Sequence, residues 1–291
     1  MMMVGANVVA GKVLAQSLPV PVVIFLRCLL AMLLVLPFAW RDLRPLPSRR
    51  VMLNLLMQGA LGAVSYNTFL LAGLRRTGAL EGGLVLSSIP VVVAIGAAAI
   101  LGERLTTRRW LAVLLAAGGM AALTLARTGQ SSAGTLLGDA LVFLAVCSET
   151  LWILLTRLSA ARVGILAATF WTQLFATALQ APFAVPLLAG HVGVLRSMPL
   201  AALLVYHSVT ASLLCNFFWY GGMRRVPANV GGVFTVLLPA TAAALAVVLL
   251  GERVTATLAA GFVLMLASIL LATWPGRRAG AAELCAAGQP R

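Results

Sequence analysis

The sequence predicts an all-α integral membrane protein: ten transmembrane helices arranged as a 5+5 inverted repeat. Three observations carry that prediction: the composition, the length of the apolar runs, and an internal repeat at a nearly constant offset. Of the 291 residues, 62% are hydrophobic and only 10% charged, and the mean hydropathy is +1.03. A soluble domain keeps about a quarter of its residues charged, because its surface faces water. Apolar runs of about 18 to 25 residues recur along the chain, each long enough at about 1.5 Å per residue to cross a hydrocarbon core ~30 Å thick. They lack the period-2 alternation of barrel strands, so the spans are helical.

The spans read in order as 1–18, 21–39, 51–73, 79–101, 109–125, 136–156, 163–188, 200–222, 228–250 and 257–274. Between them lie short connections that hold the charges and turn formers, such as Arg41-Asp42-Leu43-Arg44-Pro45 and Pro275-Gly276-Arg277-Arg278. The first run has no basic leader and no small-residue cleavage site before the next span, so it reads as a span. After Trp274 the tail, 275–291, is polar and rich in Ala and Gly, and is expected to be a disordered cytoplasmic segment.

The net charge of +14 resembles that of a nucleic-acid binder. Its distribution argues otherwise. With the N-terminus placed inside, 14 basic residues fall in cytoplasmic loops and 5 in external ones, which is the positive-inside asymmetry of a membrane protein. Both termini are therefore expected in the cytoplasm and no nucleic-acid partner is expected. Lys12 is the one lysine in the chain, and an arginine bias of this kind fits a GC-rich bacterial genome. The four cysteines, Cys28, Cys147, Cys215 and Cys285, form no CxxC pair. Three lie in apolar runs, where a thiol behaves as a small hydrophobe, so neither a disulfide nor a metal or other cofactor is expected.

The repeat is the sharpest signal. Asn67-Thr68-Phe69 through Gly73-Leu74-Arg75-Arg76 aligns with Asn216-Phe217-Phe218 through Gly222-Met223-Arg224-Arg225 at an offset of 149. The same offset carries Gly82-Gly83 onto Gly231-Gly232, Pro90 onto Pro239, and Gly102-Glu103-Arg104 onto Gly251-Glu252-Arg253. Earlier in the chain an offset of 145 carries Phe25 onto Phe170 and Pro37-Phe38-Ala39 onto Pro182-Phe183-Ala184. The slip falls in a loop, where insertions are tolerated. Units of 1–125 and 126–274 follow. A unit with an odd number of crossings places its second copy upside down, and inverted repeats of this sort are a recurrent architecture of secondary transporters.

The order Gly5-Ala6-Asn7-Val8-Val9-Ala10-Gly11-Lys12, Phe25-Leu26-Arg27, Ser88-Ile89-Pro90 and Leu101-Gly102-Glu103-Arg104-Leu105 resembles the EamA family of the drug/metabolite transporter superfamily. Leu238-Pro239 and Gly251-Glu252-Arg253 repeat the signature, so the resemblance runs through Trp274. It implies a ten-span carrier in the cell membrane that moves small metabolites, often amino acids or amphipathic compounds, by alternating access and without ATP hydrolysis. Exporters are the expected direction, with protons as a coupling partner and a monomer or homodimer as the working form. In the family the first span begins several residues before the Gly-Ala-Asn segment; here 1–18 covers about 27 Å, just enough to cross.

Ionisable groups within a bilayer cost at least about 2.5 kcal/mol each, which makes each a functional candidate. Glu149 lies ten residues beyond Asp139, roughly 15 Å into its span, near the midplane. It suits proton exchange or substrate contact; the alternative is a structural pair with Lys12 or Arg27. Lys12 lies near enough to its span's end to snorkel, whereas Arg27 lies about 10 Å below the surface and faces a partner or a wet cavity. Asn7, Trp152, Trp171, Gln173 and His207 complete the candidate lining. Trp152 stands one turn past Glu149 on a similar face. Pro90 and Pro239 are candidate hinges, because each removes a backbone hydrogen bond in mid-span. The paired glycines read as close helix packing, and the Gly-Glu-Arg segments as helix-end caps. An integral-membrane enzyme or a non-transporting subunit is the competing reading; loops this short and this poor in Asp and His disfavour the enzyme.

Overall fold

The computed structural model describes residues 10, 14, 17–44, 46–74, 76, 82, 85–103, 105–127, 135–191, 193, 197–237, 240–241 and 256–273. Among them the regular secondary structure is all helical. The elements are α1 (Val20–Ala39), α2 (Arg49–Leu74), α3 (Ile89–Leu101), α4 (Thr107–Arg127), α5 (Leu136–Ala160), α6 (Ile165–Leu188), α7 (Met198–Met223), α8 (Ala228–Val233) and α9 (Ala256–Thr273). By length and composition α1, α2, α5, α6 and α7 are apolar enough to cross a membrane, and α3 is a shorter apolar helix. The bounds of α1, α2, α4 to α7 and α9 lie within a few residues of the predicted ones, and the predicted spans 1–18, 79–101 and 228–250 are only partly described. Sequence-predicted Asn7, Lys12 and Pro239, together with the tail 275–291, lie outside the described residues.

Local chemistry sets the helix ends. Pro21 occupies the first turn of α1 and Pro199 that of α7, where a missing N–H costs nothing. Thr135 caps α5, accepting from the Gly138 N–H at 3.1 Å and donating to the Arg76 carbonyl at 2.9 Å. Asp139 in the first turn and Arg157 in the last oppose the macrodipole of that helix. α3 ends at Gly102, whose φ of 66° is a left-handed conformation that a Cβ would strain.

One face of the bundle gathers several helix ends through three charged side chains. The carboxylate of Glu103 accepts from the backbone N–H groups of Ala228 (2.7 Å) and Asn229 (3.1 Å), capping α8 from the end of α3. Arg157 of α5 donates to the last carbonyl of α7, Met223, at 2.5 Å. Arg224, just past α7, donates to Ala160 at 2.6 Å and to Val163 at 2.5 Å, at the end of α5. The two arginines thus cap each other's helices, where cations meet the negative dipole ends.

The packing pairs counterparts across the repeat. α1 lies along α6, and α4 along α9; α2 packs on α5, and α3 on α5 and α8. Asp42, just past α1, sits against Gly164, just before α6, so these counterparts run in opposite senses. The C-terminal turn of α2 meets the start of α5 at Gly73, whereas α7 ends beside the end of α5. Counterparts α2 and α7 are therefore antiparallel as well.

Close approach between helices depends on glycine at several contacts. A Cβ on Gly73 would lie 2.7 Å from Val142 Cγ2, one on Gly119 would lie 2.8 Å from Met265 Cγ, and one on Gly232 would lie 2.6 Å from Val93 Cγ1. The packing role expected for the paired glycines holds at Gly232. At Gly222, the counterpart of Gly73, no described atom stands within 4 Å of the same position. Gly232→Ala is expected to wedge α8 from α3 and cost about 1–3 kcal/mol, read as a lower thermal midpoint in detergent. Gly222→Ala should leave that midpoint unchanged or slightly raised, because alanine is the better helix former.

Candidate functional site

Two departures from α-helical geometry mark the interior. Gly59–Ser65 in α2 and Ser208–Leu214 in α7 are π-helical. Their bounds differ by the same 149 residues that relate the two sequence halves. A π turn widens the helix and leaves a carbonyl without its usual N–H partner. In both copies an asparagine four residues on donates to a carbonyl of the segment: Asn67 Nδ2 reaches Ala63 at 2.9 Å, and Asn216 Nδ2 reaches Ser212 at 2.7 Å. The second segment is braced further by Gln173 of α6, which donates to the same Ser212 carbonyl at 2.9 Å. The counterpart of Gln173 is Cys28, which packs beside Ala63 and can make no such brace.

A buried polar hub closes one end of this interior. Gln58, fully buried, ends the α-helical part of α2. Its amide donates to Asn54 Oδ1 (2.6 Å) and Ser159 Oγ (2.9 Å), while its carbonyl accepts from Thr156 Oγ1 (3.0 Å) and Tyr220 Oη (2.5 Å). The Tyr220 hydroxyl also meets Thr172 Oγ1 at 3.2 Å. Gln58 thus ties α2, α5 and α7 at one side chain, and Tyr220 extends the network to α6. The convergence of Gln58 and Tyr220 is legible only in three dimensions.

Under the 149 offset, the counterpart of Gln58 is His207. It is buried, in the last turn before the second π segment, and close enough to Arg27 for the two to interact electrostatically. Arg27 is the counterpart of Thr172 at the 145 offset, so the two halves place different chemistry at equivalent positions. Arg27 is half-buried beside Cys28, and its Nε has no acceptor.

Glu149 lies in the middle of α5. Leu144, Leu151 and Leu158 mark the outward stripe of that helix, and at 100° per residue Glu149 falls opposite them. It is half-buried on the inward side, and it interacts electrostatically with Tyr66 of α2 and Cys215 of α7. Among the described residues it has no hydrogen bond and no ion pair, so the structural pairing with Arg27 that the sequence left open is not formed. Trp152, one turn on, stacks with Trp219 at a centroid distance of 5.6 Å and 11° between planes. Its ring also fills the notch at Gly62, where a Cβ would lie 2.7 Å from Trp152 Cδ1. The first π segment and the aromatic pair are thereby in direct contact.

The other candidates separate from this group. Trp171 packs with Phe175 and Phe170 at centroid distances of 6.0 and 5.5 Å, and its indole N–H has no acceptor. Gln173 is buried as the brace described above rather than open to a path. Pro90 does not bend a continuous helix. The span breaks at a Ser87–Ser88 turn and restarts at Ile89, so the proline stands in a first turn, which it tolerates. A crevice of about 310 Å³ between α7 and α8, lined by Cys215, Phe218, Trp219, Gly222, Phe234 and Leu237, reaches the aromatic pair from the side. Among the described residues no three His, Cys, Asp or Glu side chains converge as a metal site.

Membrane-length helices in antiparallel pairs, closing around an inward carboxylate, define a multi-pass membrane protein of the carrier class. The chain belongs to the EamA-like transporter family, whose pattern matches residues 1–125 and again 136–274. It is 30% identical over 257 residues to the uncharacterized transporter YetK of Bacillus subtilis (strain 168), covering 87% of this chain and 78% of that one. A crystal structure of a protein 19% identical superposes with a TM-score of 0.76 over 95% of both chains, a likeness of fold alone. The chain is thus a membrane transporter, with the bilayer as its solvent and a small molecule as its cargo.

Tyr220→Phe removes two hydrogen bonds at the hub and is expected to cost about 1–2 kcal/mol, seen as a lower thermal midpoint in detergent. Combining it with Gln58→Leu should cost less than the sum of the two single losses, since both act on one network.

Proposed function

We propose that the protein is a secondary carrier that exports small metabolites, amino acids or amphipathic compounds, across the bacterial cytoplasmic membrane by alternating access. Ten spans in two inverted units, 1–125 and 126–274, cross the bilayer, with both termini and the end-capping face of Glu103, Arg157 and Arg224 in the cytoplasm. The observation that carries this reading is the pairing of the two π segments. They occupy equivalent positions in antiparallel counterparts α2 and α7, and both flank the interior. A carrier that rocks two halves around a midplane site needs a compliant element in each half, and a π segment with a replaceable asparagine donor supplies one. The hinge role expected of Pro90 and Pro239 passes to these segments, and Pro90 marks the break that lets α3 follow. Glu149 is the group that takes up and releases the coupling proton.

In proteoliposomes, an imposed pH gradient is expected to drive saturable flux from a mixed amino-acid and metabolite pool, and Glu149→Gln should abolish the gradient dependence. Flux indifferent to both gradient and substitution would leave a facilitative carrier with Glu149 outside its path. Asn67→Leu and Asn216→Leu should slow flux comparably, because the segments move as a pair; a loss confined to one of them would remove the paired-hinge reading.

A further inference from the structure

The connection between α1 and α2 lies on the face that carries Glu103, Arg157 and Arg224, because Asp42 sits against Gly164, next to the Val163 carbonyl that Arg224 binds. It is basic and apolar at once. Arg41, Arg44, Arg49 and Arg50 fall within ten residues that hold one acid, Asp42. All four arginines are exposed, and among the described residues none has a hydrogen-bond or ion-pair partner for its side chain. Arg49 and Arg50 open α2 at the positive end of its dipole with no acid in the first turn, where a cation is repelled and an anion attracted. Apolar surface adjoins these charges. A groove of about 630 Å³ at the end of α1 is lined by Leu36, Pro37, Phe38, Trp40 and Arg41. Phe38 is 73% exposed and Trp40 62%, and a tryptophan in such a place suits the level of lipid headgroups. The second half keeps the shelf and lacks the charge. At the offset of 145, Pro37 and Phe38 recur as Pro182 and the exposed Phe183, but Trp40, Arg41 and Arg44 become Val185, Pro186 and Ala189.

We infer that this end of α1 binds an anionic phospholipid, with the phosphate held by Arg41 and Arg44 and the upper acyl chain lying along Leu36, Pro37 and Phe38 beside Trp40. A guanidinium meets a phosphate with paired, parallel N–H donors. Arginines beside a membrane also gain from the negative charge of the lipid surface, and this gain fades within a Debye length, about 8 Å at physiological ionic strength. A zwitterionic headgroup brings its own cation among the arginines, so the groove selects on net charge. The apolar shelf fixes the occupant as a lipid, since a free phosphate has nothing to lay on Leu36 and Phe38. The site stands on the membrane placement of the chain alone and needs neither export nor a proton at Glu149.

The test is quenching of tryptophan emission in proteoliposomes of phosphatidylcholine that contain rising fractions of brominated phosphatidylglycerol or, in parallel, of brominated phosphatidylcholine. The Trp40 share is the difference between the wild type and Trp40→Phe, an exposed substitution that should leave the thermal midpoint unchanged. Half of that share is expected to be quenched at an about fivefold lower fraction of the anionic lipid than of the zwitterionic one. Arg41→Gln with Arg44→Gln should remove the difference, whereas Arg41→Lys with Arg44→Lys should keep a reduced one. Arg162→Gln with Arg225→Gln takes the same charge from exposed positions on the same face and should leave it intact. Equal quenching by the two lipids, or a preference that survives Arg41→Gln with Arg44→Gln, would overturn the site. So would a preference lost equally in both glutamine pairs, which would leave only diffuse attraction to the bilayer surface.

Discussion

A chain dissolved in hydrocarbon has to satisfy its backbone hydrogen bonds from within, because lipid offers neither donors nor acceptors. Every feature described above is a response to that constraint. Regular helix satisfies it residue by residue, and the described residues are helical for this reason. Where the helices end, side chains take over: Thr135 at the start of α5, Glu103 at the start of α8, Arg157 and Arg224 at the ends of α7 and α5. Where the helix itself is widened, in the two π segments, an asparagine donates to the carbonyl four residues before it. The irregular backbone is therefore confined to places where a local donor is built into the sequence.

The same constraint explains why the interior polarity is concentrated. Gln58 can be fully buried because both ends of its amide are used, by residues from α2, α5 and α7. A network of this kind stiffens the end of the bundle it occupies, since breaking one member strands the others. Glu149 is the contrast: an ionisable group on an inward face, bordered by aromatic surface, with no hydrogen bond to another described residue. The two together divide the interior into a region that is internally satisfied and a region that is not.

Most of the architecture was legible in the sequence, because hydropathy and repeat signals are additive over long windows. The long apolar helices, the family resemblance and the shared face of Glu149 and Trp152 came from length, motif order and helical period. The capping function of the Gly102-Glu103-Arg104 segment was readable in kind, from charge at a helix end, but its partner at Ala228 lies across the bundle and carries no local mark. The π segments were hidden, since π and α turns share one hydropathy pattern; Asn67 and Asn216, matched at the repeat offset, were the available clue. The hub at Gln58 was hidden for a different reason. Its partners come from three helices whose mutual rotation no single-sequence period specifies. Pro90 was misread as a bend because a mid-span proline and a first-turn proline look alike until the Ser87–Ser88 turn is seen.

The duplicated halves are alike in backbone and unlike at their latches. Where one half holds Gln58, a neutral amide that ties three helices together, the other holds His207 with Arg27 at its side. Two doors fastened with different bolts do not stand ajar equally often. In a carrier of the proposed kind, the free energy of the two facing states is then unequal before any cargo binds, and the empty protein has a preferred resting side. That preference sets which compartment the site samples first. An architecture that began as two equivalent copies has acquired, at one pair of matched positions, a front and a back.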